Sequence, residues 1–505
     1  MVQWKSTVAV AALSAMLLPG AGSAAVTADE VWQSWVDYYT ALGYEVKTGS
    51  DQMMGDTLVL TDIDLSMVTE MGETNSEKVR TETKISIPEA RMREMGDGTV
   101  EITLSNQMPM TSTTDMPDSD PINTEMMIAQ QGLKMTASGE VGDISYAMKA
   151  DELSMEMTGF EAVETDVPAK VRFALNNTVG SYTMASDDEA QSITSEMTSA
   201  SADVTVSGAD PETNSTINMT ANVKDLKITS DMSLPEGLDM ADFGPALEAG
   251  FAMSANLTYG ATTMSANFDG AEGKGTMGSS AESGAFVMDL SSEGMTYDVS
   301  AKGTKAELTT EQLPFPISFG LDDAAFKIVM PLSASEEPAD MGLVLKLAGL
   351  SLSDQIWGMF DPTGQLPHDP ATLHVDLSGK AKLTANLFNP EEMAALQASP
   401  FEPQTATLNT LEVTAAGASL TGTGAATFDN SMGMPMPKGA VDLKLVGGNK
   451  LIDTLVAMGL LPDEQAMGAR MMLGLFAVPA GDDVLTSKIE MRDDGGLYAN
   501  GQRLQ

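Results

Sequence analysis

Cysteine is absent from this chain of 505 residues, which excludes disulfide bonds, thiolate catalysis, iron–sulfur clusters and cysteine-ligated zinc. Histidine is nearly absent, because His368 and His374 are the only two, so a Ser-His-Asp hydrolase or a histidine-rich metal site has few residues to use. Aromatic residues are 5% of the chain, whereas methionine occurs 39 times. The core must therefore be aliphatic and rich in methionine.

Positive charge is also scarce, with 27 Lys and Arg against 72 Asp and Glu and a net charge of −45. Such a surface repels phosphate backbones and anionic lipid headgroups, so nucleic acid and direct membrane-surface binding are disfavoured. We interpret the charge as a solubility feature. After the N-terminus no run of about 18 apolar residues occurs. The most apolar later stretch, residues 451–480, is interrupted by Asp453, Asp463, Glu464 and Arg470. No transmembrane span is expected in the mature chain.

The N-terminus has the pattern of a secretory signal peptide. Lys5 provides a positive charge, residues 8–18 are apolar, and Pro19 and Gly20 break the apolar run. Small residues follow at 22–25, as a signal-peptidase site requires. The pattern predicts cleavage near Ala24 or Ala25 and a soluble periplasmic protein that begins at Ala25 or Val26.

Strict alternation of apolar and polar residues dominates the remainder of the chain. The longest example has Leu373, Val375, Leu377, Ala381 and Leu383 on one side and residues such as His374 and Lys380 on the other. This period of two indicates antiparallel strands with one buried and one solvated face. The sequence predicts a mainly β protein with an elongated antiparallel sheet, in the form of a sandwich, a roll or a curved trough, in which those five residues are buried.

Helices are expected to be few, short and mostly in the C-terminal third. Helical spacing or capping residues predict them at 29–44, at 353–360, after Asn389, after Asn449 and after Pro462. We divide the chain into a signal peptide at 1–25, a β-rich region at 26–311 and a β-rich region with short helices at 312–505. The last two could instead form one continuous β architecture.

Motifs with possible chemistry have simpler structural interpretations. Met432, Met434 and Met436 alternate as a soft Cu(I) site would, yet methionine also replaces leucine in strand cores throughout the chain. His368 and His374 could join Asp369 or Asp376 at a metal, although no spacing rule requires it. The Gly-x-Gly-x-x-Gly match at 273–278 opens no predicted helix, and the acidic cluster at 115–120 lacks EF-hand spacing. We assign no catalytic, cofactor-binding or metal-binding residue and no cofactor.

Several segments resemble one bacterial family. They are Leu-Ser-Leu-Ser-Asp-Gln-Ile-Trp-Gly-Met-Phe-Asp-Pro from Leu350, Gln-Leu-Pro-His-Asp-Pro before the long strand, and the closing Gly-Leu-Tyr-Ala-Asn-Gly-Gln-Arg-Leu. Together they are similar to the family known as domain of unknown function 2125, most strongly from about Gln312 to Leu504. The resemblance implies export to the envelope of a Gram-negative bacterium and carries no assigned activity. The Trp357, Asp361, Pro362 and Pro367 cluster is interpreted as a docked helix-turn-strand connection that Trp357 anchors.

Three functional hypotheses remain. The first is a non-enzymatic envelope protein that binds lipid, another hydrophobic ligand or an envelope protein in an apolar β groove, because flexible apolar residues line its long strands. The second is a structural or assembly partner without a ligand. The third is a hydrolase, for which the sequence nominates no residue.

Overall fold

The fold is a single antiparallel sheet with short helices. A computed structural model describes residues 25–71, 79–116, 120–161, 170–186, 190–210, 213, 215–235, 243–271, 273–396, 399–431 and 434–504. Strands form 67% and helices 13% of it. The predicted mainly-β antiparallel class is therefore confirmed. Residues 1–24, which carry the predicted signal peptide apart from Ala25, lie outside the described residues.

The strands follow one another along the chain with short turns. They are β1 Glu45–Met54, β2 Thr57–Met71, β3 Val79–Glu94, β4 Val100–Leu104, β5 Gln107–Asp115, β6 Ile122–Gln131, β7 Lys134–Glu140, β8 Asp143–Glu161, β9 Lys170–Ser186, β10 Ala190–Ala209, β11 Thr216–Pro235, β12 Ala252–Tyr259, β13 Thr262–Gly270, β14 Gly273–Ala281, β15 Ser283–Ser291, β16 Gly294–Thr310, β17 Ile317–Met330, β18 Ala339–Leu352, β19 Ala371–Leu383, β20 Phe401–Ala415, β21 Ala418–Asp429, β22 Met436–Val446, β23 Val478–Gly481, β24 Val484–Met491, β25 Leu497–Ala499 and β26 Gln502–Arg503.

The described helices are α1 Ala28–Ala41, α2 Phe243–Glu248, α3 Asp354–Phe360, α4 Pro390–Ala395, α5 Gly448–Ala457 and α6 Asp463–Phe476. Helix α1 begins at a capping box, in which the Thr27 hydroxyl accepts from the Glu30 N–H and the Glu30 carboxylate accepts from the Thr27 N–H. The predicted helices are all present. Helix α2 was not predicted. Asn449 is not the N-cap of α5, because Gly447 occupies that position with φ +75°. No helix in the described ranges is long and apolar enough to cross a membrane.

Each long strand pairs with the next, so the sheet is an up-and-down meander. Strands β4 and β5 lie end to end against β3, and β6 and β7 lie likewise against β8. The same is true of β12 and β13 against β11 and of β14 and β15 against β16. The meander continues without interruption from β16 to β17 across position 311. The boundary between the two β-rich regions at residues 311 and 312 therefore remains a prediction from the sequence.

A line of kinks, which we call the crease, crosses the middle of the sheet. Its residues fall at or next to opposed positions across the sheet from β8 to β18, with Gly260 in the connection between β12 and β13 and Glu282 in the connection between β14 and β15. They are Asp151, Asn177, Ala200, Asp225, Gly260, Glu282, Gly303, Asp322 and Gly349. Four of them have left-handed φ values, namely Asn177 (50°), Asp225 (52°), Gly303 (61°) and Gly349 (71°). Asn, Asp and Gly tolerate this conformation best, which explains turn residues in the middle of long strands.

At the crease, the alternation of apolar and polar residues along a strand shifts by one position. On β9 the apolar set is Phe173 and Leu175 before Asn177 but Tyr182 and Met184 after it. Apolar residues from both phases nevertheless meet in one core cluster on β3, where Ile87 and Met92 both belong to it. On β3, the two parts of the strand thus direct apolar side chains to the same core.

The main core lies near the N-terminal end of the sheet, under α1 and α2. From α1, Val31 and Trp35 pack on strands β2 to β8, and Ala246 and Leu247 of α2 belong to the same cluster. On β19, Ala381 and Leu383 are buried as predicted. Leu373 and Val375 are only half-buried and Leu377 is 38% exposed, so the prediction that these three residues are buried is wrong. Their strand lies at the less covered C-terminal end of the sheet.

Candidate apolar site

One row of apolar residues, which we call the apolar ladder, runs across the sheet. Each member lies directly opposite the next on the neighbouring strand. The ladder consists of Leu58, Met92, Ile102, Met135, Met148, Gly180, Met197, Ile228, Leu257, Phe286, Val299, Phe326, Leu345, Val375, Leu411, Gly422 and Leu443. Neighbouring strands lie about 4.8 Å apart, so the ladder extends roughly 75 Å along the sheet.

The burial of the ladder residues decreases from the N-terminal to the C-terminal end of the sheet. Leu58, Met92 and Ile102 are at most 4% exposed. Leu345, Val375 and Leu443 are only half-buried. Beside these half-buried members, exposed fractions of 36–39% occur at four further residues of the same face, namely Leu343, Leu347, Leu377 and Val413. The ladder is thus part of the buried core at its N-terminal end and forms an apolar surface that is open to solvent at its C-terminal end.

Between the fully buried and the half-buried parts of the ladder, a cavity of about 560 Å³ lies beside α1. Its floor is the ladder from Met135 to Ile228, with Gly180 at the centre, flanked by Met148 and Met197. Gly180 adds no side chain to the centre of this floor. Methionine dominates the lining, with Met108, Met135, Met148, Met184, Met197 and Met232. Flexible thioether side chains adapt to apolar ligands of varied shape, and the volume is typical of a ligand site.

Hydroxyl groups line the cavity along the row next to the ladder. Tyr146, Tyr182, Ser195 and Ser230 lie opposite one another on β8 to β11. The Tyr146 and Tyr182 rings stack with centroids 4.5 Å apart, and the Ser195 and Ser230 hydroxyls share a 2.7 Å hydrogen bond. Of this row, Tyr182, Ser195 and Ser230 contact the cavity itself. One side of the cavity is therefore apolar, and the other side carries hydroxyl groups that can form hydrogen bonds.

The tyrosines around the cavity keep their protons at neutral pH. Burial raises the pKa of Tyr39 to about 12, with the neighbouring Tyr38 and Tyr44 adding to the shift. Burial likewise raises the pKa of Tyr182, Tyr146 and Tyr38. These groups serve as neutral hydrogen-bond donors rather than as bases.

Charge is almost absent from the cavity. Glu196 is the one charged residue among the described lining residues, and its carboxylate lies 2.8 Å from the Lys227 ammonium at the surface. The site is therefore suited to an uncharged, largely apolar occupant, because an unpaired ion would lose its hydration there.

The two histidines lie in different surroundings. His368, in the loop before β19, stacks on Trp357 with ring centroids 4.1 Å apart. Its Nε2 lies 3.6 Å from a carboxylate oxygen of the buried Asp361. His374 is in β19, opposite Lys346 and Glu412. No group of three or more His, Cys, Asp or Glu residues that could hold a metal occurs in the described part of the chain.

The Asp361 carboxylate fixes the connection between α3 and β19 through hydrogen bonds to its backbone. Burial of Asp361 acts to raise its pKa, but hydrogen bonds from the Gln365 and Leu366 N–H groups, together with His368, lower it overall. Trp357 is only half-buried. The predicted docked connection is present, and Asp361 is its most deeply buried member rather than Trp357.

The remaining sequence motifs do not meet at one site. Met432 lies outside the described residues, and Met434 is 70% exposed. The Gly-x-Gly-x-x-Gly segment lies within β14. Part of the acidic cluster at 115–120 also lies outside the described residues, and Asp115 ends β5. Sequence reasoning anticipated an apolar groove but not its position, since the cavity floor depends on the register of five strands and its lining draws on ten strands and α1.

The fold and the site together define a single-sheet β protein with an apolar strip and a methionine-lined cavity. The chain belongs to the family described as uncharacterized protein conserved in bacteria, DUF2125, whose profile matches residues 238–504. The match starts before the predicted region of strongest similarity. No curated protein and no solved structure matches the chain.

Proposed function

We propose that this protein is an exported, non-enzymatic protein of the bacterial envelope that holds an apolar chain in the cavity beside α1 and along the adjoining ladder. The observation that supports the proposal is the continuity of the ladder from the cavity to the half-exposed strands. A sealed pocket would enclose a compact ligand, whereas an open strip also accommodates a long, flexible chain.

Binding can be tested with the full chain and a fluorescent long-chain acyl probe. Met197→Trp places a bulky ring on the cavity floor beside Gly180, so probe affinity should fall about tenfold or more because the occupant's contacts are lost. Met467→Trp is the matched control, since Met467 is 71% exposed on α6. Equal probe affinity in both variants, or no binding by the unmodified protein, would contradict the proposal.

Export is tested separately by N-terminal sequencing of the protein from the envelope fraction. The first residue should be Ala25 or Val26, because the small residues at 22–25 provide the cleavage site. Native mass spectrometry of the same material should show a bound lipid that is removed by organic solvent. An uncleaved protein in the cytoplasm would contradict the export part of the proposal.

Helix α6 supports the second hypothesis, an assembly partner. Met467, Met471 and Leu475 form an apolar stripe at helical spacing, with 71%, 72% and 52% of each residue exposed. In cells, a photo-crosslinking residue at position 471 should give one discrete adduct if this stripe docks on an envelope protein. The same residue at the exposed Thr205 serves as the control. Equal, diffuse labelling at both positions would argue against docking.

A further inference from the structure

Two further apolar rows flank the ladder on strands β15 to β22. The first flanking row runs through directly opposed residues from Met288 on β15 to Val441 on β22. The second flanking row runs likewise from Gly284 to Leu445, on the other side of the ladder. Every position in these rows is aliphatic, aromatic, methionine or glycine. Over these strands the apolar strip is therefore three residues wide.

The three rows lie on one face of the sheet, and that face is open. On β18 they contribute Leu343, Leu345 and Leu347, which alternate with residues of the other face such as Lys346. Lys346 pairs with Asp323, with 2.6 Å between the ammonium and the carboxylate. Leu343 and Leu347, one in each flanking row, are both more than a third exposed. A continuous apolar surface of this kind is typical of a binding site.

The rows define two parallel channels, one on each side of the ladder. Residues two apart on a strand are separated by roughly 7 Å, so the channels are also roughly 7 Å apart. Hydrocarbon chains touch when their carbons are about 4 Å apart, so each channel accommodates one chain beside its neighbour. Strands β15 to β22 extend over roughly 34 Å. An extended chain of about 16 carbons, at about 1.2 Å per bond, is roughly 18 Å long and fits lengthwise.

Resting on the proposed function, we propose that the occupant is a two-chain lipid, whose acyl chains lie side by side in the two channels while its headgroup stays in water. A single chain would cover one channel and leave one flanking row in water. The open face admits a polar headgroup, whereas an enclosed cavity would have to remove its hydration. The assignment thus follows from the width of the strip and from its exposure.

Native mass spectrometry of the full chain, saturated with lipid, tests how many chains each lipid inserts. The probes are dipalmitoyl phosphatidylcholine and palmitoyl lysophosphatidylcholine, which share a headgroup and a chain length and differ in the number of chains. The protein should bind more copies of the single-chain lipid, approaching twice the number, because each channel then takes a separate molecule. Equal copy numbers, or fewer copies of the single-chain lipid, would overturn the proposal.

Substitutions in the flanking rows test the two channels one at a time, in competition with a fluorescent acyl probe. Leu343→Gln places an amide beside one channel, and Leu347→Gln places one beside the other. Each should weaken the two-chain lipid about tenfold, because either amide meets one of its chains. The single-chain lipid should lose at most about twofold with either variant, since the other channel stays apolar, and about tenfold when both are combined.

Val446→Gln is the matched control, since Val446 is 38% exposed and follows Leu445 onto the opposite face. It should leave both affinities unchanged, and a loss equal to that of Leu343→Gln would contradict binding on the ladder face. If the single variants weaken both lipids equally, the two-chain assignment is wrong while apolar binding stands. If neither lipid binds the unmodified protein, the proposed function itself fails.

Discussion

At the scale of single residues, polar side chains fix the ends of elements that apolar packing leaves undetermined. The clearest case is Asp483, which lies 34 residues after Asn449 and 33 residues after Lys450 and caps α5 from outside the helix. Its carboxylate accepts from the Lys450 N–H and the Asn449 N–H, each at 3.0 Å. A carboxylate at a helix N-terminus satisfies free N–H groups and interacts favourably with the helix dipole.

Asp483 should make the stability of this region depend on pH. The hydrogen bonds from Lys450 and Asn449 lower its pKa from the ordinary 3.8. A group with a lowered pKa in the folded state contributes fully above its unfolded pKa, and the contribution is lost as pH falls through the folded value. Below about pH 4, thermal melts should therefore show a loss of stability that is smaller in Asp483→Asn. Identical acid profiles of the two proteins would contradict this prediction.

A second residue-scale prediction concerns the buried hydroxyl pair beside the crease. Thr178 is 0% and Ser199 3% exposed, and their hydroxyls lie 2.7 Å apart. Thr178→Val should destabilise the protein by about 1–3 kcal/mol, because the Ser199 hydroxyl is left buried without its partner. Adding Ser199→Ala should cost less than the sum of the single changes, as urea unfolding would measure. Strict additivity would show that the pair is not coupled.

At the scale of elements, the crease places residues with left-handed φ values in the middle of long strands, where the alternation of apolar residues changes phase. Gly303 and Gly349 adopt left-handed φ values at positions opposite Glu282 and Asp322. The acidic side chains lie over these glycines, because a Cβ built on Gly349 would meet the Asp322 carboxylate at 2.2 Å. Backbone conformation and close approach both require glycine there.

Gly349→Ala should therefore destabilise the folded protein more than a Gly→Ala change at a position without these constraints. The left-handed conformation costs an L-residue about 1–2 kcal/mol, and displacement of Asp322 adds to that loss. Gly358→Ala is the control, since Gly358 is in α3 and a Cβ there meets nothing within 4 Å. That variant should be neutral or slightly stabilised. Chemical denaturation measures both, and equal stability of the two variants would argue against a strained crease.

The sequence predicts the elements better than it predicts their assembly. Period-two alternation identifies the strands around Leu373 and Val375, and helical spacing identifies α1, because each signal is local. Helix α2 has only six residues and includes Gly244 and Pro245, so its pattern is too short to detect. Asn449 was misassigned as a cap because the real capping group, Asp483, is distant in the sequence. The phase changes at the crease hide the fact that both halves of a strand belong to one sheet.

The cavity could be predicted in kind but not in place. Methionine excess and long apolar strands favour an adaptable apolar groove. Its floor, however, brings Met135, Gly180 and Ile228 together from separate strands, and the Trp35 ring that lines it comes from α1. Cross-strand register and helix docking determine these contacts, and neither can be read from the spacing of residues in one strand.

At the scale of the whole molecule, side-chain burial is distributed unevenly along the sheet. Strands β2, β3 and β4 contain fully buried residues such as Leu60, Met92 and Val100, each 0% exposed. The described residues of β20, β21 and β22 contain no buried side chain. Because burial of apolar area is the main stabilising term, the two regions should differ in local stability although one hydrogen-bonded sheet joins them.

Native-state hydrogen exchange followed by mass spectrometry should therefore show a gradient in ligand-free protein. Amides of β20 to β22 should exchange through local opening, with protection well below that of β2 to β4, whose exchange should require global unfolding. The central strands of the ladder, such as β10, should be intermediate, since they border the cavity. A single protection level over all these strands would mean that the sheet unfolds as one cooperative unit. The gradient is expected to flatten when the long-chain acyl probe occupies the ladder, because binding to the native state stabilises the strands that contact the ligand.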